Sequence, residues 1–172
     1  MNPQELRRIF GFLATGVTVV TAIGPQGEPV GVTANSVTSV SLDPPLILWC
    51  LATKNINLSA FALHAPFSVN VLTEQQTEIA KNFARSGTTK FRADTYSRNT
   101  SQPPTISDAL ARIVCRVVAL HLAGDHTIIV GSVDSFESRE GSPLVFQSSR
   151  FGRFLPAQAS ADAFDPLLDV WM

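Results

Sequence analysis

Apolar and β-branched runs of strand length recur along the chain, and turn residues break them at short intervals. Val30 to Thr33 reads as the end of a strand, Asn35 to Ser41 alternates valines with short hydroxyl side chains, and Leu46 to Leu51 is an apolar run with the length of a buried strand. Asp43-Pro44-Pro45 between them must turn, because proline cannot donate to a ladder and disfavours helical geometry in the residue before it. Thr15 to Ile23 is β-branched and strand-like, and Gly24 to Gly27 is turn material, so a hairpin feeds the central stretch. Pro66 to Leu72, Ala111 to Ala123, Thr127 to Phe136 and Pro143 to Gln147 read as further strands, with Gly124-Asp125-His126 as a hairpin tip.

Helical signals are few and short. Asn2, Pro3 and Glu5 form a capped start, after which Leu6, Ile9, Phe10 and Leu13 share one face that is expected to lie against the sheet. A second helical run is expected from about Leu58 to His64. A third, opened by a capping box at Thr73 to Gln76, carries Ile79, Ala80 and Phe83. From Arg85 to Gln102 the pattern dissolves into Gly, Thr, Ser and Asn with Arg85, Lys90, Arg92 and Arg98, a long polar loop of the kind that usually carries function.

Two places hold candidate chemistry. Asn35, Ser36, Thr38, Ser39 and Ser41 are small side chains that donate and accept hydrogen bonds and let backbone approach a flat polar ring such as a flavin. Composition alone leaves a Thr/Ser-rich edge strand equally open. The polar turn Ala52 to Asn57, ahead of a helix start, offers unpaired N–H groups to a phosphate, with Lys54 adding charge. An ordinary capped helix would show the same pattern.

With 172 residues, 45% of them hydrophobic and 16% charged, the chain is sized for one well-cored domain, taken here as 1–155 with a tail at 156–172, and is short of charge for a fully solvated surface. A second copy covering part of it is the simplest expectation. The formal net charge of −1 and the lack of a Lys/Arg block exclude a nucleic-acid or anionic-membrane footprint. No segment has the roughly 20 apolar residues of a membrane helix and no signal core opens the chain, so a cytoplasmic protein is expected. Cys50 and Cys115 lie in apolar runs, as inert core thiols do. There is no metal-spaced histidine pair, no phosphate loop, no Gly-x-Ser-x-Gly and no Gly-x-Gly-x-x-Gly, so neither hydrolase nor metal chemistry nor a doubly wound dinucleotide fold is expected. The tail residues Asp165 to Met172 read as a short apolar-faced helix, expected to dock on a dimer, with a frayed end or docking on another protein as the alternatives.

Several segments together carry a resemblance. Phe12 to Thr21, Gly31 to Ser36, Ser39 to Leu46, Phe67 to Leu72, Ala80 to Ala84, Lys90-Phe91 and Gly124-Asp125-His126 resemble, in order, the flavin reductase components of two-component flavin-dependent monooxygenases. The resemblance implies a mainly β fold, an antiparallel Greek-key FMN-binding split β-barrel with a few short peripheral helices, and usually a homodimer. It also implies FAD or FMN and a nicotinamide cofactor, NADH ahead of NADPH, with a partner monooxygenase consuming the reduced flavin. Carried onto this sequence, the flavin contacts it implies are Thr33, Ala34, Asn35, Ser36, Ser39, Val40, Ser41, Cys50, Leu51, Lys54, Asn55, Asn57, Phe83, Ala84, Arg85, Lys90 and Arg153. His126 at the hairpin tip is the residue implied to act on the nicotinamide. Asn55 and Asn57 stand where the family usually has serine or threonine. The rival readings are a pyridoxamine phosphate oxidase-like flavoprotein, against which Gly124-Asp125-His126 argues, and a non-enzymatic ligand-binding barrel. A single tyrosine and near-zero charge supply neither the stacking platform nor the basic groove which that last rival would use on nucleic acid.

Overall fold

A computed structural model describes residues 1–85, 87, 90, 91, 96, 97 and 102–156. Arg92, Arg98 and the tail segment from Asp165 lie outside the described residues. The elements in chain order are α1 (Pro3–Phe10), β1 (Thr15–Gly16), β2 (Thr18–Ile23), β3 (Pro29–Ala34), β4 (Thr38–Leu42), β5 (Pro45–Ala52), a 3-10 turn (Leu58–Phe61), β6 (Pro66–Val71), α2 (Thr77–Ala84), β7 (Tyr96–Ser97), β8 (Thr105–Ile106), β9 (Ala111–Ala123), β10 (His126–Ser138), β11 (Leu144–Gln147) and β12 (Arg150–Arg153). The protein is mainly β, as the strand-length runs and the resemblance lead one to expect. Seven strands form one sheet in the order β3-β2-β6-β9-β10-β5-β4, with β1-β11-β12 and β7-β8 as smaller sheets, and each pairing is antiparallel.

β2 shows why one β-branched run can be hydrophobic on both sides. Val20 and Ala22 face a core built on Trp49, Phe61 and Phe67, while Val17 and Val19 face a second core that holds Ala80 and Phe83 of α2. Trp49 meets Phe61 edge to face at 4.8 Å, and each such fully buried large side chain stabilises the fold by about 1.5–3 kcal/mol. The run predicted as one strand is split at Val17, where the chain leaves β11 and joins β3 and β6. Three backbone hydrogen bonds close a ring there. Val17 N–H donates to Leu144 O at 3.0 Å, Leu144 N–H to Leu72 O at 2.9 Å, and Leu72 N–H to Val17 O at 3.0 Å.

Asn70 on β6 is fully buried and satisfied. Its Nδ2 donates to Val19 O at 2.9 Å and its Oδ1 accepts from Ile106 N–H at 3.0 Å. Thr21 Oγ1 donates to Pro104 O, so the segment that returns from the polar loop is pinned to the sheet by buried polar groups.

Two helical expectations differ from the structure. α1 starts as read, with Asn2 Oδ1 accepting from Gln4 N–H at 2.9 Å, but none of its residues is buried, and Phe10 and Leu13 are exposed. Periodicity fixes which side chains share a face, not what covers it. The run after Asn57 makes only the 3-10 turn Leu58–Phe61, because His64 N–H and Ala65 O are drawn into bonds with Val117 on β9. α2 begins at Thr77, later than the capping box implies. Thr73 bridges Pro143, and Gln76 Oε1 accepts from Thr73 N–H at 3.1 Å.

Candidate functional site

Gly31 on β3 is where the site begins. A Cβ there would lie 2.6 Å from the Phe83 ring and 3.1 Å from the Phe91 ring, so the missing side chain lets both rings press against the strand. Phe83 and Phe91 meet at 5.0 Å and Phe91 and Tyr96 at 4.9 Å, each pair near perpendicular. Beside this aromatic row, Lys90 Nζ donates to Phe83 O at 3.1 Å and to Gly31 O at 3.2 Å, and Asn82 Nδ2 fixes the Lys90 carbonyl at 2.9 Å. An ammonium has three protons to give. Two go to carbonyls, no carboxylate among the described residues lies within ion-pair reach, and burial pushes the Lys90 pKa below the ordinary lysine value.

Lys90 faces two adjoining cavities. One, of about 290 Å³, also takes in Lys54, Asn55, Asn57, Phe83, Ala84 and Arg85. The other, of about 510 Å³, is walled by Pro29, Val30, Ile56, Phe91 and Tyr96, with Glu28 at its edge. The structure thus brings together seven of the residues implied by resemblance. It also changes the source of positive charge at the turn. Asn55 N–H donates to Ala52 O, Asn57 N–H to Asn55 Oδ1 at 2.9 Å, and Leu58 N–H to Asn55 O. The turn spends these donors on itself, and the charge is carried by the side chains of Lys54, Arg85 and Lys90.

The hydroxyl-rich segment is divided. Thr33 Oγ1 donates to Ala80 O at 2.6 Å, tying β3 to α2. Ala34 O accepts from Thr18 Oγ1 at 2.8 Å, and Asn35 Nδ2 donates to Thr15 Oγ1 at 3.3 Å. Ser36 Oγ accepts from Cys50 N–H at 3.0 Å and donates to Cys50 O at 3.3 Å, beside the buried Leu51. Beyond it, Ser39, Val40 and Ser41 lie on β4, an edge strand of the large sheet, where a register shift between Ser39 and Ser41 leaves Val40 unpaired and exposed. Cys115 is buried, and burial, followed by the charge of Asp134, pushes its thiol up to about 12.

His126 opens β10 opposite Ala52, which lines the 290 Å³ cavity. The tip turns on Gly124, at φ +63°, which glycine adopts without strain. Asp125 O accepts from both Thr53 N–H and Thr53 Oγ1, at 2.9 and 3.1 Å. Its carboxylate sits 2.7 Å from His126 Nδ1. That hydrogen bond, then the His126 charge, hold the Asp125 carboxyl below the usual carboxylate range, with Lys54 adding a smaller pull. With Nδ1 so engaged, Nε2 is the ring nitrogen left for a ligand. Arg153 stands elsewhere. It lies on β12 with Nε 3.4 Å from Glu74 Oε2, beside a separate cavity of about 360 Å³.

Ile56 and Tyr96 line the site although the sequence pattern does not single them out. The one signal available is an apolar or aromatic side chain set inside a polar turn or loop.

Comparison with known proteins adds to this geometry. A model of the flavin reductase like domain matches residues 10–154. The FMN reductase (NADH) SmoA of Agrobacterium fabrum is 44% identical over 153 residues, which is 89% of this chain and 87% of that protein. The reductase component of the flavin-dependent trigonelline monooxygenase of Acinetobacter baylyi is 37% identical over 98% of this chain, which spans only 54% of that protein. The solved structure of the NADH:FAD oxidoreductase SgcE6 of Streptomyces globisporus, in complex with NAD and FAD fragments, superposes with a TM-score of 0.83 at 38% identity, covering 92% of this chain and 98% of that one.

Proposed function

This chain belongs to the flavin reductase like domain family, and on that premise we propose that it uses NADH to reduce FAD or FMN and hands the reduced flavin to a flavin-dependent monooxygenase. The observation that carries the reading is Lys90, an ammonium with one proton unspent and no counter-ion among the described residues, set where two cavities meet. Such a group fits the phosphate of a flavin, which is an anion with acceptor oxygens.

When bound, the flavin supplies a two-electron acceptor for the hydride that NADH gives up. The protein's part is positional. Lys54, Arg85 and Lys90 neutralise phosphate charge, and Phe83 and Ala84 form an apolar wall that keeps water from the ring. Backbone groups from Asn35 to Ser41, with the hydroxyls of Ser39 and Ser41, meet the ring's polar edge, while the Ser36 hydroxyl holds Cys50. His126 presents Nε2 to the nicotinamide, steadied through Nδ1 by Asp125.

We further read the large sheet as a split barrel. Support comes from Ser36, which joins the connection after β3 to the backbone of β5, although β3 and β5 stand at opposite sides of the sheet order. A homodimer accounts for the exposed Phe10, Phe12 and Leu13, and would let Arg153 reach a flavin from the second copy. A cytoplasmic setting suits the free thiols of Cys50 and Cys115.

The test is to mix the purified protein with NADH and either flavin without oxygen and follow both absorbances. NADH oxidation that requires added flavin, and bleaches it in equal amount, supports the reading. Its absence with both flavins ends it.

A further inference from the structure

We infer that the 510 Å³ cavity beyond Lys90 is an adenosine subsite, so that this protein takes FAD in preference to FMN, an assignment that rests on the flavin-reductase reading and deepens it. The two cavities share Ile56, Asn57, Gly87 and Lys90, so they are two arms of one cleft with a cation at the junction. The arms differ in chemistry. The smaller arm carries Lys54 and Arg85 and runs past Ala52, the register partner of His126, which makes it the side of the redox chemistry. Among the described residues the larger arm adds no cation to Lys90, and it is walled by apolar and aromatic groups, Val30, Phe91 and Tyr96 among them, beside the shared Ile56.

A ligand whose phosphate sits on Lys90 and whose ring lies in the smaller arm ends there if it is FMN. The larger arm would then hold only water against an aromatic wall. FAD continues through its second phosphate, and its adenine is a flat apolar-faced group of the kind that stacks on such walls. A volume of about 510 Å³ is ample for it. Ile56 is 82% exposed without a ligand and gains cover on this reading. Glu28 at the edge already accepts from Gln26 N–H at 2.9 Å through one oxygen, and its other oxygen can accept from a ribose hydroxyl or the adenine amino group.

The test is a binding measurement on the full chain without NADH, by flavin fluorescence and equilibrium dialysis. FAD is expected to bind about 10-fold or more tightly than FMN, a ratio set by one stacked base. Phe91→Leu and Tyr96→Ala, at side chains that line the larger arm and not the smaller, are each expected to weaken FAD about 5- to 10-fold while FMN stays within about twofold. Adenosine 5′-monophosphate should compete with FAD and lose that ability in the same variants. Equal wild-type affinities, or equal losses for both flavins, overturn the assignment. Unchanged flavin binding with a raised KM for NADH overturns it too, and gives the arm to the nicotinamide cofactor. Failure of both flavins to bind the wild-type protein would instead sink the flavin-reductase reading, so the two failures are distinguishable.

Discussion

The two stretches richest in polar side chains near the cleft differ in what they do with their hydrogen bonds. From Thr33 to Ser36 nearly every group is engaged with the protein itself: Thr33 with Ala80, Asn35 with Thr15, Ser36 with both backbone atoms of Cys50. Around Lys90 the reverse holds, since the cations of Lys54, Arg85 and Lys90 converge on one cavity with no carboxylate among the described residues of that lining. A hydroxyl-rich sequence therefore marks a ligand lining only where its donors are left over after folding. The leftover capacity here is cationic, which favours an anionic group on the ligand.

The sharpest way to break this contrast is Lys90→Met. It should weaken FMN and FAD by about 10- to 100-fold, the range of a charge-assisted hydrogen bond, and leave riboflavin, which lacks phosphate, within about twofold. Titration of the three flavins decides it, and a loss shared by riboflavin would make Lys90 structural. The same contrast has a pH signature. Burial depresses the Lys90 pKa and a bound phosphate raises it, so binding is favoured below the free-state pKa and lost as pH rises through it. FMN affinity should decline in the alkaline range, beginning below the ordinary lysine value, while riboflavin affinity does not follow.

His126→Ala should lower kcat/KM for NADH about 10-fold, or roughly 1.4 kcal/mol, with flavin affinity unchanged. Normal NADH kinetics with lost flavin binding would reverse the division of labour between the hairpin tip and Lys90. The smallest expected effect belongs to the engaged stretch. Ser36→Ala removes the partner of the Cys50 N–H and should cost about 1 kcal/mol of stability in chemical denaturation, while the flavin dissociation constant moves less than about twofold. A large flavin effect with no stability loss would place Ser36 with Lys90.

Much of this was readable from residue order. Apolar runs bounded by turn residues located β5, β6, β9 and β10 to within a few residues, because burial and chain reversal each leave a local mark in the sequence. The Gly124-Asp125-His126 turn was readable for the same local reason. Exposed α1 and the shortened helix after Asn57 were not, since both depend on what other segments leave free: an uncovered face in one case, Val117 in the other. Resemblance pointed to Lys90, but the two carbonyls that hold it come from β3 and α2, and no local pattern joins Gly31 to Phe83. Gly31 reads from sequence as a weak strand residue. Only the packed rings show why a side chain would not fit there.

The ring of bonds among Val17, Leu72 and Leu144 bears on how the molecule comes apart. Each of these residues gives its N–H to one neighbour and its carbonyl to the other, at sites with 1% exposure or less. If any one segment peels away, a donor and an acceptor on the two that remain are stranded out of reach of water. The small sheet therefore has no cheap route to fray from the large one at this point, even though β1 is only two residues long. Amide hydrogen exchange should report this directly: Val17, Leu72 and Leu144 should share one opening free energy close to that of global unfolding, whereas amides at the outer end of β12 should open at much lower cost.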